Sequence, residues 1–190
     1  MDPSRRAIAG EILASAREHD ERQADRLNRF RNVEPETAEL LNVLVRATRA
    51  DSILEIGTSN GYSTIWLADA GGHVTSVDID ADRTELARAN LARAGLEVEL
   101  RTEDAAETLA GAADGVYDLI FLDSERPAYL GYWPHLLRLL RPDGGLLVID
   151  NVLSHANEVV EISALIETEP AVSSALVEIG AGVLLVTRGG

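Results

Sequence analysis

Cysteine is absent from the 190 residues, which excludes disulfides, a thiolate zinc site and a cysteine nucleophile together. Any metal the chain holds must sit on oxygen or on one of its four histidines. Positive charge is scarce: 17 Lys and Arg stand against 32 Asp and Glu, for a net charge of −15 and a pI near 4.6. Phosphate backbones require clustered cations, so nucleic acid is not an expected partner and small molecules are. The acids are spread along the chain and read mainly as a solvated, self-repelling surface. No apolar run approaches the ~20 residues that span a bilayer. The opening "MDPSRRAIAGEIL" also has no apolar core of the signal-peptide kind, so a cytoplasmic location without membrane contact is expected.

What is present can build a core, since 46% of residues are hydrophobic and 26% charged. The length suits one domain, and no repeat or linker divides it. Residues 1–50 are expected to supply N-terminal helices covering the active site, and residues 51–190 an α/β core. Helical composition runs from about residue 5 to 30, with Ile8, Ile12 and Leu13 on one face and Leu27 and Phe30 further on. A second helix follows Pro35, with Leu40, Leu41, Leu44 and Val45 at helical spacing.

Strand and helix signals then alternate. "SILEIG", a helix from Tyr62, "HVTSVDI", a helix near Asp82 to Ala94 stopped by Gly95, and "VELR" come first. "YDLIFLD", a helix from about Pro127 to Leu140, and "GGLLVID" follow. Apolar strands separated by helices predict a parallel α/β sheet with both faces covered. After a helix around Glu158 to Glu167, "AVSSALVEI" and "VLLVTR" flank "GAG" and read as an antiparallel hairpin at the sheet edge.

The stretch "ILEIGTSNGYS", residues 53 to 63, is the end of the first strand, a glycine turn and the start of a helix. Open α/β sheets bind nucleotide-like ligands at such a place. Gly57 and Gly61 let the backbone approach a ligand, and the helix start offers unpaired N–H groups, although a purely structural turn would look the same. The G-x-x-x-G spacing departs from the pyrophosphate-binding G-x-G-x-x-G, and no P-loop is present. Asp78 ends the second strand roughly 20 residues on, where it can accept hydrogen bonds from ribose hydroxyls. Asp104, after the third strand, can lie near the far end of an adenosine. Glu55, Asp123 and Glu125 can receive an ammonium, while Ser59, Ser63 and backbone N–H groups receive a carboxylate. An adenosine joined to an amino-acid head is S-adenosylmethionine. Asp123 and Asp150 end two strands expected to be close in the sheet, and Asn151 adds a neutral oxygen, a donor set that suits Mg²⁺. A polar turn and a helix cap would also account for them.

"VEPETAELL", "ILEIGTSNGYSTIWLA", "VTSVDID", "YDLIFLDSERPAYLGY", "LLRPDGGLLVIDNVLSH" and the C-terminal hairpin together make the chain, from about Val33 to Arg188, resemble the class I methyltransferases. Within them it resembles the divalent-metal-dependent O-methyltransferases of the catechol and caffeoyl-CoA kind. The resemblance implies a Rossmann-like seven-stranded sheet with its last strand antiparallel, methyl transfer from S-adenosylmethionine to an oxygen of a small hydroxylated acceptor, usually with Mg²⁺, and commonly a homodimer. It implies that Glu55, Gly57, Thr58, Ser63, Asp78, Ala105 and Glu125 line the cofactor site, with a backbone contact at Val33. It also assigns Asp123, Asp150 and Asn151 to the metal and Tyr132 to the substrate.

Two departures matter. Where the family often has a D-x-D-K lysine that removes the substrate proton, "DSER" places Arg126, which can stabilise an oxyanion but is a poor base. His155 is a possible replacement, with a surface role as the plain alternative. Aromatic residues make up only 4% of the chain, and Ser154 stands where relatives often carry tryptophan, which argues against an aromatic clamp on the acceptor. Trp66 and Trp133 read as packing residues. Three functions follow: a metal-dependent O-methyltransferase, a metal-independent one gripping an acidic substrate with Arg126, and a non-catalytic cofactor-binding dimer.

Overall fold

The runs Leu119–Leu122 and Leu146–Ile149 are apolar and buried at every position, as strands covered on both faces must be. The computed structural model describes residues 1–189. In it these runs are β4 and β5, at the centre of a seven-stranded sheet in the order β3-β2-β1-β4-β5-β7-β6. The remaining strands are β1 (Ser52–Ile56), β2 (His73–Asp78), β3 (Glu99–Thr102), β6 (Val172–Val177) and β7 (Val183–Arg188). β1 to β5 pair in parallel, while β7 lies antiparallel to both β5 and β6. The expected Rossmann-like sheet with an antiparallel C-terminal hairpin is therefore the fold.

Period-two alternation sends Ile53, Leu119, Phe121 and Val148 to one face, and Leu54, Ile56, Ile120 and Leu122 to the other. The first face is covered by α1 (Pro3–Arg22), α2 (Pro35–Thr48), α3 (Tyr62–Ala70) and α4 (Ala81–Arg93). The second is covered by α5 (Ala105–Gly111), α6 (Tyr129–Leu139) and α7 (Ala156–Thr168). Trp66 and Trp133 are buried in these two clusters. Aspartates start several helices: Asp2 caps α1, Asp80 caps α4 and Asp104 caps α5. No helix among the described residues is long and apolar enough to cross a membrane.

The first helix is shorter than its composition predicts. It ends at Arg22 because the Asp20 carboxylate accepts from the backbone N–H groups of Phe30 (2.8 Å) and Arg31 (2.9 Å), folding the chain back on itself. Residues 23–34 form a strap with one 3₁₀ turn, Arg26–Asn28, which Asp25 caps. Leu27 consequently projects, 59% exposed, instead of extending the helix's apolar face.

Register positions the site. Ile56 pairs with Leu122, and Leu122 with Ile149, so Gly57, Asp123 and Asp150 emerge side by side from the carboxyl ends of β1, β4 and β5. The order of strand addition reverses between β1 and β4, the switch point where open α/β sheets open a crevice.

Candidate active site

A cavity of about 550 Å³ opens at that switch point. Its floor includes the turn from Gly57 to Ser63, and two glycines there are fixed by packing. Gly57 has φ +110°, and a Cβ on it would lie 2.3 Å from the backbone oxygen of Asp123. Gly61 has φ +83° and would bring a Cβ to 3.1 Å from that of Ala87 on α4. The neighbouring strand and helix demand glycine here before any ligand does. Ser59 also takes a positive φ, 48°, and its N–H donates to Asp78 Oδ2 at 2.8 Å. Asp78 Oδ1 accepts from Asp80 N–H at 3.0 Å, so this carboxylate is held at the rim by two backbone donors.

The N-terminal fifty residues reach the cavity only through the strap. Arg26, Arg29, Phe30, Arg31, Asn32 and Val33 line it, whereas α1 and α2 contribute no lining residue. Ser59 Oγ donates to the Phe30 carbonyl at 2.9 Å, Arg83 donates to the carbonyls of Leu27 and Arg29, and Arg26 and Arg31 both pair with Glu125. Burial pulls the Glu125 carboxyl upward, but the Arg31 hydrogen bond and the surrounding guanidinium charges outweigh it and hold the group below its ordinary range.

Glu55 lies beneath the cavity wall, not on it. Fully buried on β1, it accepts hydrogen bonds from Ser63 (2.6 Å), Thr64 (2.5 Å) and Ser76 (2.6 Å). Three hydroxyls therefore occupy the carboxylate that was expected to receive a cofactor ammonium. Burial pushes its pKa to about 7 against the opposing pull of those hydroxyls, and Asp78 adds to the rise. Thr58 is also buried, its hydroxyl bonded to Ser76 at 2.6 Å. Ser63 lines the cavity yet turns its hydroxyl to Glu55.

Asp123, Asp150 and Asn151 converge. Asn151, in the left-handed region with φ 64°, donates its amide to Asp123 Oδ1 (2.9 Å) and to Asp150 Oδ2 (3.1 Å). Asp150 is 1% exposed and its Oδ1 has no hydrogen-bond partner. Burial raises the Asp150 pKa to about 6. Burial, then the Asp150 and Glu55 charges, raise Asp123 well above the carboxylate range, with Arg31 and Arg126 opposing. Two desolvated carboxylates, one with an orphaned oxygen, fit a small divalent cation, and the Asn151 amide, which here turns its nitrogen to both of them, would add its oxygen only by turning over. Among the described residues no group of three or more His, Cys, Asp and Glu could hold a metal ion.

Asp104, Ala105, Asp123, Glu125, Arg126, Tyr132, Asn151 and His155 all line the same cavity, as do Val33, Gly57, Ser63 and Asp78. Tyr132 is partly buried in the cavity wall, and burial first and then the Asp104 charge raise its hydroxyl. Arg126 is 5% exposed and donates through Nε to Glu158 at 2.9 Å. His155 hydrogen-bonds Ser154 through Nδ1 at 2.9 Å, and burial together with the Arg126 charge lowers its pKa. The strap arginines were not among the expected site residues. Their signal was legible in "RLNRFRN", which packs three of the chain's few cations into residues 26–32.

The O-methyltransferase family model matches residues 5–189. The catechol O-methyltransferase of Niastella koreensis is 38% identical over 152 residues, covering 76% of this chain and 66% of that protein. The catechol O-methyltransferase of Mycobacterium tuberculosis is 37% identical over 126 residues, covering 64% of this chain and 57% of that protein. The chain thus spans less than two thirds of the length of either relative. Among solved structures, an O-methyltransferase from Bacillus cereus in complex with SAH superposes with a TM-score of 0.81 at 28% identity, covering 96% of this chain and 90% of that one. With a matching family model over nearly its whole length and the same sheet with its crevice at the switch point, the chain belongs to the O-methyltransferase family.

Proposed function

We propose that the protein transfers a methyl group from S-adenosylmethionine to a hydroxyl of a small vicinal dihydroxy acceptor, with a divalent cation held by Asp123, Asp150 and Asn151. The observation that carries this reading is the row of Gly57, Asp123 and Asp150 at matched strand ends, with Asn151 bridging the two carboxylates and Asp150 Oδ1 left without a partner. The relatives named for catechol support the acceptor class. When bound, S-adenosylmethionine supplies an electrophilic methyl group, and the cation supplies a positive charge that acidifies a hydroxyl beside it.

The chain's own residues do the rest by positioning, which can account for much of a methyl-transfer rate. Asp78 and Asp104 mark the adenosine end of the cavity that Ala105 and Tyr132 also line. The strap closes over the cofactor through Ser59, Arg83 and the Glu125 pairs, which excludes water. Arg126 supplies a fixed positive charge on the cavity lining at the acceptor end. His155 stays neutral at pH 7 and can take a proton. This reading includes a cytoplasmic homodimer, which sedimentation of the purified protein would test. A methyl-transfer screen over dihydroxy and monohydroxy aromatics, with and without Mg²⁺, tests the whole. Turnover untouched by excess chelator would remove the cation, and cofactor binding with no turnover on any acceptor would remove the enzyme.

Asp78→Ala should weaken S-adenosylmethionine binding by roughly 1 to 3 kcal/mol, because a ribose would lose a charged acceptor in a partly desolvated cleft. Calorimetry measures this directly, and unchanged affinity would take Asp78 out of the site. A second expectation concerns the proton. If the acceptor's own acidity governs its loss, an electron-poor catechol should outrun an electron-rich one at pH 7, and His155→Ala should keep that order. If His155→Ala alone costs about tenfold or more and flattens the pH–rate profile, the histidine is the base.

A further inference from the structure

Cations gather at the cavity in a chain that has few. All 17 basic residues are arginines, and five of them, Arg26, Arg29, Arg31, Arg83 and Arg126, line this one cavity. Arg29 and Arg83 are occupied by strap carbonyls: Arg29 donates twice to the Gln23 oxygen, and Arg83 to those of Leu27 and Arg29. The other three cluster beside Asp123, Glu125 and His155. Arg26 and Arg31 share Glu125 at 3.1 and 2.6 Å, and Arg126 has Glu158 at 2.9 Å. Three guanidiniums thus face two glutamates, and the neighbouring aspartates are committed to the proposed cation.

Donors at this end are also unused. The Arg126 side chain is 4% exposed, and only its Nε is hydrogen-bonded, so both Nη groups are free of protein partners among the described residues. Arg31 Nε, Asn32 Nδ2 and Ser124 Oγ are buried without partners, and all three residues line the cavity. The three sealed groups are costly without a partner, whereas the Arg126 Nη groups are not sealed and remain reachable by a ligand. A planar guanidinium with two free Nη groups matches two oxygens of one carboxylate, a geometry that a single phenolic oxygen cannot satisfy. The sulfonium of the cofactor would add another positive charge to the same cavity.

We infer that the acceptor is an aromatic acid, a dihydroxy ring whose separate carboxylate is gripped by the free Nη groups of Arg126 with Arg31 beside it, while the hydroxyls lie towards Asp123 and Asn151. This inference rests on the O-methyltransferase reading for the identity of the ring. It makes Arg126 a specificity residue in addition to a fixed charge.

The test compares 3,4-dihydroxybenzoate with 3,4-dihydroxybenzamide, which share the ring and hydroxyls and differ in charge. Calorimetry on the protein loaded with S-adenosylhomocysteine and Mg²⁺ should show the acid binding at least about tenfold tighter than the amide. Arg126→Gln should cut that ratio to below about threefold, and Arg126→Lys should leave an intermediate ratio because it keeps the charge and loses the fork. Arg31→Gln, on the strap and away from the core, serves if the buried variant fails to fold, and should lower the ratio as well. Equal binding of acid and amide overturns the inference, as does a preference that persists undiminished in both glutamine variants. Preferred binding of the acid with no methylation of either compound would uphold the anion site and sink the methyl-transfer reading.

Discussion

Asp123→Ala is expected to lower turnover by roughly 100-fold or more, about 3 kcal/mol of transition-state stabilisation, with the fold retained. Its carboxylate meets Asn151 at 2.9 Å, follows β4 immediately beside Gly57, and is raised by burial and by Asp150. Asp150→Asn provides a sharper comparison because it preserves shape. With its pKa lifted to about 6, Asp150 holds a proton in the folded state that the unfolded chain releases at lower pH. Metal-free stability should therefore fall as pH rises from the ordinary carboxylate range to about 6, and remain lower above it. Asp150→Asn should reduce that fall, the buried Asp123 carboxyl keeping a share of it, and leave the apo protein more stable at pH 7.5. Mg²⁺ should stabilise the parent at this pH by up to about 2.7 kcal/mol at a hundredfold excess over Kd, seen as a raised melting temperature, and should not affect the variant. A parent whose melting and turnover are both indifferent to Mg²⁺ and to chelator would sink the cation site.

Gly57→Ala should destabilise the protein by roughly 2 to 4 kcal/mol and weaken cofactor binding with it. Two penalties combine at this position: φ of +110°, and an added Cβ 2.3 Å from the Asp123 carbonyl oxygen. Gly71 separates them, because its φ is +111° and nothing lies within 4 Å of its added Cβ. Gly71→Ala should therefore show only the backbone penalty, on the order of 1 kcal/mol. Denaturant titration of both variants reads the difference. Equal losses would mean that the β4 end yields freely, and that the position of Asp123 is not set by packing against the turn.

Periodicity carried the sheet, because a strand buried on both faces must be apolar throughout and a helix on its surface must repeat at 3.6. The segments now seen as β4 and β5 needed nothing else. Position along the chain also carried the site's location, since the residue after a parallel strand can only emerge at its carboxyl end. Gly57, Asp78, Asp123 and Asp150 were therefore visible as neighbours of strand ends, and the resemblance supplied their expected roles. The strap was not visible as such. Its helical composition up to Phe30 gave way to two hydrogen bonds from Asp20, a long-range choice that propensity does not encode. The orientation of Glu55 was equally hidden: as a strand-end acid it could have faced a ligand, and the hydroxyls of Ser63, Thr64 and Ser76 hold it inside.

By itself, then, the sequence determined the order of the strands and of the helices other than α5, the family and the line of strand-end residues, because these depend on local pattern and chain direction. Tertiary structure alone decided that Gly57 and Gly61 are required by Asp123 and Ala87, that Glu55 is bonded to three hydroxyls, and that Arg31 and Arg126 line one cavity. Each of these depends on register and on side chains brought together across the fold. Such contacts are fixed by packing between segments far apart in the chain, which no local pattern records.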